Sequence, residues 1–327
     1  MTRVGSFDQV ARVDSFIEDD GPARGARRIR VVSGGGLDIE IHPDRGLDLG
    51  AVSYRGIPAA WMASPGITNP HMSEQSGTAW LRTFGGGLLT TCGLDAFGPP
   101  SDDEGEHYPM HGRVGSIPCR VEEKNVGSDV ITIRGTTRQT RVFGENLVLR
   151  RSISVDVGGT TIRVKDVVTN EGFTPAGHMI LYHCNLGWPL LSEEATLDIE
   201  ARSLSPRDDR AAAGVASWNE ISAPQRDFSE QVFRHDFAGL KGGRAVIENP
   251  KMNIRFGLTF DTGTLPALHQ WKMLGEGDYV MGLEPTNVNW SLGRVAAEEA
   301  HVLPVLAPGE SVEYSLGLSF NSLEATV

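Results

Sequence analysis

Short stretches in which apolar and polar residues alternate recur along most of the chain. Ile153 and Val155 alternate with serines, and a second alternating run begins after Gly158-Gly159. Successive side chains of a β-strand point to opposite faces, so this pattern predicts an antiparallel hairpin of half-buried strands. Comparable runs predict further strands at 29–32, 37–41, 46–54, 130–133, 195–199, 245–247, 254–260, 279–283, 301–306 and 312–320.

Helical periodicity is confined to short pieces such as 211–213, and the chain has neither an internal repeat nor a linker-like change in composition. We therefore predict an all-β fold, a large twisted antiparallel β-sandwich that forms a single domain over residues 29–327. Residues 1–28 are polar and charged, with a turn at 18–22, and we expect them to form a loosely attached lead-in.

Composition and charge narrow the choice of partners. The 39 glycines and 18 prolines of the 327 residues are scattered among apolar runs, which indicates turns rather than disorder. A formal net charge of −12 argues against a nucleic-acid or anionic-membrane partner, because such surfaces need basic stripes. The chain has no membrane-span pattern and only three widely spaced cysteines, so we expect a cytoplasmic protein, with a homodimer left open.

The most informative stretch is 179–191, an apolar run that contains a histidine and an asparagine and ends at Gly187 and Pro189. His183 and Asn185 are two residues apart and therefore share one face of the predicted strand. A titratable ring in a buried strand costs free energy unless it is hydrogen-bonded or used. By itself His183 is either a satisfied core histidine or part of a site.

Two other residues leave similar alternatives open. Glu284 follows an apolar strand and precedes a proline, so its carboxylate is either paired to an arginine at the rim or part of a site. Arg82 lies between apolar neighbours, ahead of a run of three glycines at 85–87, and is either paired to a buried carboxylate or directed at a ligand oxygen.

Two apparent motifs carry little weight. The glycine runs at 34–36 and 85–87 lack the lysine and the following helix of a phosphate-binding loop. The spacing of His107 and His111 would suit two metal ligands on one helix, but Pro109 makes a continuous helix there unfavourable. We therefore predict no metal site and no cofactor.

Four motifs in order resemble the galactose mutarotase (aldose 1-epimerase) superfamily, and in particular a bacterial branch of it. They are Arg82 before a glycine-rich segment, His111-Gly112, the strand that ends as His-x-Asn-x-Gly at 183–187, and Gly-Leu-Glu-Pro at 282–285. The resemblance covers roughly residues 29–320. It implies a large twisted β-sandwich with a carbohydrate-binding cleft on one broad face.

The resemblance also implies roles for these residues. His183 resembles the family's general acid and Glu284 its general base, while His111 and Arg82 resemble groups that hold the sugar's oxygens. Opening a cyclic hemiacetal requires one group to take the anomeric hydroxyl proton and another to protonate the ring oxygen. A carboxylate and an imidazole can share that work near neutral pH without a cofactor.

The chain also departs from the family pattern. Arg113 stands where better-known members have a second glycine after the histidine, and Asp261 is a candidate for the family's substrate-binding aspartate. Trp271 could stack on a sugar, and Lys272 follows it directly. Arg113 and Lys272 together favour an acidic or otherwise modified sugar, and we include both with Asn185 and Trp271 among the substrate-binding candidates.

Three functions remain in competition. The leading hypothesis is an aldose 1-epimerase-like isomerase, a mutarotase of carbohydrate metabolism, that interconverts anomers of a free sugar or sugar derivative. The second is an epimerase, ketose isomerase or lyase that removes a carbon-bound proton in the same cleft. The third is a sugar-binding module without catalytic activity.

Overall fold

Strands dominate the computed structural model, which describes residues 3–74, 76–103 and 105–323. In chain order they are β1 Arg12–Ile17, β2 Arg27–Val32, β3 Leu37–His42, β4 Asp48–Tyr54, β5 Ile57–Pro58, β6 Thr90–Leu94, β7 Ser101–Asp103, β8 Glu106–Tyr108, β9 Arg120–Val126, β10 Val130–Thr140, β11 Asn146–Asp156, β12 Thr161–Asn170, β13 Ala176–Gly177, β14 Met179–Gly187, β15 Thr196–Ile199, β16 Ser203–Pro206, β17 Gln231–Asp236, β18 Gly243–Asn249, β19 Ile254–Phe260, β20 Ala267–Leu274, β21 Tyr279–Thr286, β22 Val305–Leu306 and β23 Ser311–Asn321.

Helices are short connections between these strands. The α-helices are α1 Asp209–Ala213 and α2 Arg294–Glu299, and the 3-10 helices are Phe7–Gln9, Gly21–Ala23, Pro70–Met72, Ala79–Arg82, Val114–Ser116 and Val215–Ser217. Within the described ranges, none of the helices has the length and apolar character needed to cross a membrane.

An eight-stranded antiparallel sheet forms one side of the molecule, in the order β15-β18-β19-β23-β12-β11-β10-β9. The hairpin expected around Gly158-Gly159 is confirmed, because Val155 of β11 pairs with Ile162 of β12. Along β12 and β23 buried residues alternate with more exposed ones. This sheet therefore has one face in the core and one towards solvent, which is why its sequence shows the clearest alternation.

A six-stranded antiparallel sheet, in the order β16-β17-β20-β21-β14-β6, carries the other side of the core. All nine residues of β14 and all eight of β21 are buried, so both faces of these strands are covered. Tyr182 and Cys184 join the main hydrophobic core with residues of the eight-stranded sheet, such as Tyr314. His183 and Asn185 therefore lie on the opposite face, as predicted.

A buried ionic cluster joins the sheets under β14. The guanidinium of Arg151 on β11 donates to Asp48 on β4 at 2.7 Å and to Asp166 on β12 at 2.7 Å. Tyr182 of β14 donates its hydroxyl to the same Asp166 at 2.8 Å. Burial raises the pKa of Asp48, and the charge of Arg151 opposes that shift. The cluster satisfies groups that would be costly to bury singly.

Part of the segment 1–28 is paired with the rest of the fold. A five-stranded sheet has the order β1-β2-β3-β4-β5, and β1 pairs with β2 along its length, from Arg12 opposite Val32 to Ile17 opposite Arg27. Most side chains of β1 are exposed. An edge strand of this kind is held by backbone hydrogen bonds and needs few buried side chains, so its polar sequence resembled a loose segment.

Candidate active site

A cavity of about 430 Å³ lies over the face of the six-stranded sheet that points away from the main core. Strands β14, β17, β20 and β21 form its floor, and the loops around 61–65, 80–84, 97–99 and 110–111 form its walls. The lining is rich in aromatic rings, with histidines and a few charged side chains among them. It includes Trp61, Trp80, Phe84, Phe97, His111, His183, Arg207, Glu230, His269, Trp271, Asp278, Glu284 and Ser291.

Strand pairing brings four polar side chains into one row across this floor. Arg234 of β17 pairs with His269 of β20, and His269 pairs with Glu284 of β21. The register between Leu181↔Thr286 and Cys184↔Leu283 puts His183 of β14 directly opposite Glu284. Directly opposed residues share a face of the sheet, so the row Arg234–His269–Glu284–His183 faces the cavity side.

The centre of this row is a close imidazole–carboxyl pair. Nε2 of His183 lies 3.2 Å from Oε1 of Glu284, and each side chain is only 6% exposed. The two atoms are within reach of each other but are not aligned as a hydrogen bond, and Nδ1 of His183 also lacks a hydrogen bond within the described ranges. Both side chains therefore retain capacity to exchange protons with a ligand.

Burial pushes this pair towards its neutral form. The pKa of Glu284 is raised well above its usual 4.5 by burial and then by Glu230, with Arg207 opposing. The pKa of His183 is lowered well below its usual 6.5 by burial and then by His111, with Asn185 opposing. Burial therefore favours a protonated carboxyl next to a neutral imidazole over an ion pair.

Because Gly282 has no side chain, it leaves room for the side chains of Glu284 and His183. A Cβ atom at this position would lie 2.6 Å from Oε1 of Glu284, 2.9 Å from Cβ of Trp271 and 3.3 Å from Cε1 of His183. Contacts below 3 Å would displace at least one of these groups. The glycine of the Gly-Leu-Glu-Pro motif is thus required by close packing around the carboxyl group.

His111 reaches the cavity from a tight turn. Its backbone is left-handed, with φ of 58°, and its ring centroid lies 4.5 Å from that of Trp80 and 5.8 Å from that of His183. Burial lowers the pKa of His111 to about 4. In the His-Gly motif, Gly112 packs so closely that a Cβ would be 2.3 Å from the carbonyl oxygen of Gly93.

His107 does not act with His111, because its Nδ1 is 2.8 Å from Oδ1 of Asp102 in the β7–β8 hairpin. Across the described parts of the chain, no three His, Cys, Asp or Glu side chains are arranged to hold a metal ion.

Trp271 forms part of the aromatic wall of the cavity. Its ring meets those of Trp61 and His183 edge-on, at centroid distances of 5.8 and 5.4 Å. Its indole Nε1 donates to Glu230 at 2.9 Å. Glu230 also binds Arg207 at 3.0 Å, and Arg207 contacts Asp208 at 2.9 Å. The charge of Arg207 is thus already balanced by carboxylates.

Arg113 and Lys272, which were expected to bind an acidic sugar, both lie outside the cavity lining. Arg113 is held by Asp95 at 3.0 Å and Glu106 at 3.3 Å, and it therefore stabilises the loop that carries His111. Lys272 is adjacent to Trp271 on β20 and points to the other face, where its Nζ donates to the carbonyl of Ser217 at 2.7 Å. Both therefore lie outside the lining, and their role in substrate binding stays a prediction without a contact that supports it.

The remaining candidates lie outside the lining. Arg82 is exposed at the end of the 3-10 helix Ala79–Arg82, next to the lining residues Leu81 and Trp80. Asn185 is fully buried and donates to the carbonyls of Gly87 and His183, so it holds the glycine-rich segment against β14. Asp261 is exposed in a turn after β19, where it accepts from the amide of Gly263.

Sequence reasoning missed several lining residues, and His269 is the most informative. It is 2% exposed, and its Nε2 is buried without a hydrogen bond among the described residues. The hairpin of β20 and β21 turns at 275–278, and that register alone places His269 opposite Glu284. By contrast Arg207 and Glu230 lie in loops at strand ends, where no periodic pattern marks them.

Residues 23–320 match the profile of a family described as a domain of unknown function, DUF4432. No curated protein matches the chain.

Several solved structures have the same fold. The "putative aldose 1-epimerase" of Klebsiella pneumoniae superposes with a TM-score of 0.88 at 26% identity, over 96% of this chain and 86% of that chain. A galactose mutarotase-like protein of Clostridium acetobutylicum gives 0.67 at 14% identity, over 96% and 100%. The galactose 1-epimerase of Lactobacillus acidophilus gives 0.62 at 14%, over 95% and 99%.

The expected all-β sandwich is therefore confirmed, and these similarities agree with the resemblance found in the sequence. The protein belongs to the DUF4432 family and has the galactose mutarotase-like fold.

Proposed function

We propose that the protein is an aldose 1-epimerase-like isomerase that interconverts the anomers of a sugar in this cavity. The observation that carries the proposal is the contact of 3.2 Å between His183 and Glu284. It joins residues 101 positions apart on the floor of a cavity of about 430 Å³. That volume suits a monosaccharide, and the aromatic rings around it offer flat faces to the sugar's C–H groups.

The reaction needs only one proton shared by the pair. In the charged form, the Glu284 carboxylate takes the proton of the anomeric hydroxyl while the His183 imidazolium protonates the ring oxygen, and the bond between C1 and the ring oxygen breaks. The pair is then neutral, with the proton on Glu284. The free aldehyde rotates about its C1–C2 bond. On ring closure at the other face, the ring hydroxyl returns its proton to His183 while Glu284 returns its proton to the carbonyl oxygen.

The neutral form favoured by burial corresponds to the pair after ring opening. Moving the proton from Glu284 to His183 across their contact would give the form in which His183 is the acid and Glu284 the base. The sugar's hydroxyl groups can donate and accept hydrogen bonds at the pair, which favours the charged form once the substrate is bound.

Exchange NMR across a panel of free sugars tests the proposal. We expect the wild-type protein to accelerate exchange between the α and β anomeric signals of at least one sugar, with no deuterium entering at carbon in heavy water. Incorporation of deuterium at carbon would instead support the epimerase, isomerase or lyase alternative. Binding without acceleration of either process would support a module that only binds sugar.

The pH dependence of the reaction should reflect the shifted pKa values of the pair. A second proton binds to the pair only well below the usual histidine pKa of 6.5, because burial lowers the pKa of His183. The pair loses its shared proton only at a pH well above 4.5, because burial raises the pKa of Glu284. We therefore expect kcat/KM, corrected for uncatalysed exchange, to stay constant when the pH is lowered by roughly one unit across 6.5.

A half-maximal loss of kcat/KM centred near pH 6.5 would contradict this expectation, since it would show a histidine that titrates as if exposed.

A further inference from the structure

A cluster of polar groups lies at the Arg234 end of the row Arg234–His269–Glu284–His183. The proposed ring opening does not use these groups. Arg234 lies opposite His269 and two residues after the lining residue Val232, on the same strand face. Trp290 and Ser291 approach from the loop after β21, and the Arg234 guanidinium lies 6.0 Å from the centre of a Trp290 ring. Ser291 and His269 line the cavity, whereas Arg234 and Trp290 lie next to them just outside the lining.

These four side chains share an unsatisfied hydrogen-bonding capacity. Nε of Arg234, Nε1 of Trp290, Oγ of Ser291 and Nε2 of His269 are all buried and have no hydrogen-bond partner in the described part of the chain. Ser291 is 8% exposed and His269 is 2% exposed. Buried polar groups are almost always hydrogen-bonded, so four such groups side by side at a cavity wall can serve to bind a polar ligand.

Arg234 lacks the carboxylate partners that balance the charge of Arg207. Arg207 is paired with Glu230 and Asp208, whereas Arg234 forms no ion pair with any residue in the described ranges. Leaving a half-buried guanidinium without a carboxylate is unfavourable unless a ligand supplies the negative charge.

The spacing of the row suits a single sugar. Arg234 and Glu284 lie on strands separated by one intervening strand, so their backbones are about 10 Å apart. A hexose with its anomeric carbon at Glu284 and His183 can extend its far end past His269 towards Arg234. His269 is neutral, because burial and then Arg234 lower its pKa to about 3, and a neutral imidazole can donate a hydrogen bond from its N–H group.

We propose, on the basis of the proposed function, that Arg234, His269, Trp290 and Ser291 form a subsite for a singly charged carboxylate, which makes a uronic acid the preferred substrate class. One unpaired guanidinium balances one carboxylate. A phosphate would bring nearly two negative charges into a cavity that also contains Glu230 and Asp278.

Isothermal titration calorimetry with matched ligands tests the subsite directly. Galacturonate, glucuronate and mannuronate are compared with galactose, glucose and mannose, and with the corresponding aldose 6-phosphates. We expect wild-type protein to bind at least one uronate about 10- to 100-fold more tightly than its parent aldose, as a charge-assisted hydrogen bond implies. The matching 6-phosphate should bind more weakly than the uronate.

Arg234→Met removes the charge and keeps a long side chain. It should abolish the preference for the uronate while the Kd of the parent aldose changes by less than about threefold. Arg234→Lys should restore part of the preference. Arg226→Met is the matched control, since Arg226 is 83% exposed in a loop away from the row and its loss should leave the preference intact.

Three results would overturn the subsite. They are equal binding of uronates and parent aldoses, tighter binding of the 6-phosphates, and loss of affinity for acid and neutral sugars alike in Arg234→Met, which would indicate a structural arginine. Because calorimetry measures binding without turnover, these results are independent of whether anomer exchange is catalysed.

Discussion

Glu284→Gln is expected to slow protein-catalysed anomer exchange by about 10²- to 10⁴-fold, the range typical of a lost general acid–base group. Glutamine has nearly the same shape but cannot take up or release the proton. Burial favours the neutral form of this carboxyl, so the neutral amide should cost little folding stability. Exchange NMR on the best sugar, with thermal unfolding measured in parallel, checks both parts.

His183→Gln should have a similar effect, and the double variant should be little slower than either single one. Both residues transfer protons in the same ring-opening step, so removing either stops that step. Asp261→Asn makes the same carboxyl-to-amide change in an exposed turn outside the cavity and serves as the control. Additive losses in the double variant, or an active Glu284→Gln protein, would show that the pair does not act as one unit.

Arg151→Met is expected to destabilise the fold by about 3–5 kcal/mol, because it leaves two buried carboxylates without their cationic partner. Arg151 is 1% exposed at its side chain and contacts both Asp48 and Asp166 at 2.7 Å. Urea unfolding followed by circular dichroism should show the loss as a lower midpoint with an unchanged slope.

Arg150→Met provides a matched control one residue earlier on β11. Its side chain is 46% exposed and pairs with Glu171 on the solvent face, so its loss should change the free energy of unfolding by at most about 1 kcal/mol. Equal effects of the two substitutions would contradict a special role for the buried cluster.

The sequence pattern was sufficient for the fold class because alternation is a local property. The hairpin of β11 and β12 and the split of β14, with His183 on one face and Tyr182 on the other, follow from the period of two. The polar edge strand β1 was missed because backbone pairing, rather than side-chain burial, holds it in place.

The site was only partly predictable, because it depends on which strands become neighbours. The pairing of β14 with β21 joins residues 101 positions apart, and no local pattern encodes it. The position of Lys272 outside the cavity lining could have been predicted. Adjacent strand residues face opposite ways, so Trp271 and Lys272 could not both enter one cavity. Arg113 was different, because its partner Asp95 lies in another loop.

The absence of a side chain at Gly282 affects how closely the imidazole of His183 and the carboxyl group of Glu284 can approach each other. The spacing of the imidazole and the carboxyl is set by the pairing of two central strands and a missing methyl group, not by the loops that enclose the ligand. The loops around the cavity do not contribute to this spacing. On the function proposed above, a change in those loops would alter which sugar is bound without moving the proposed proton-transfer pair.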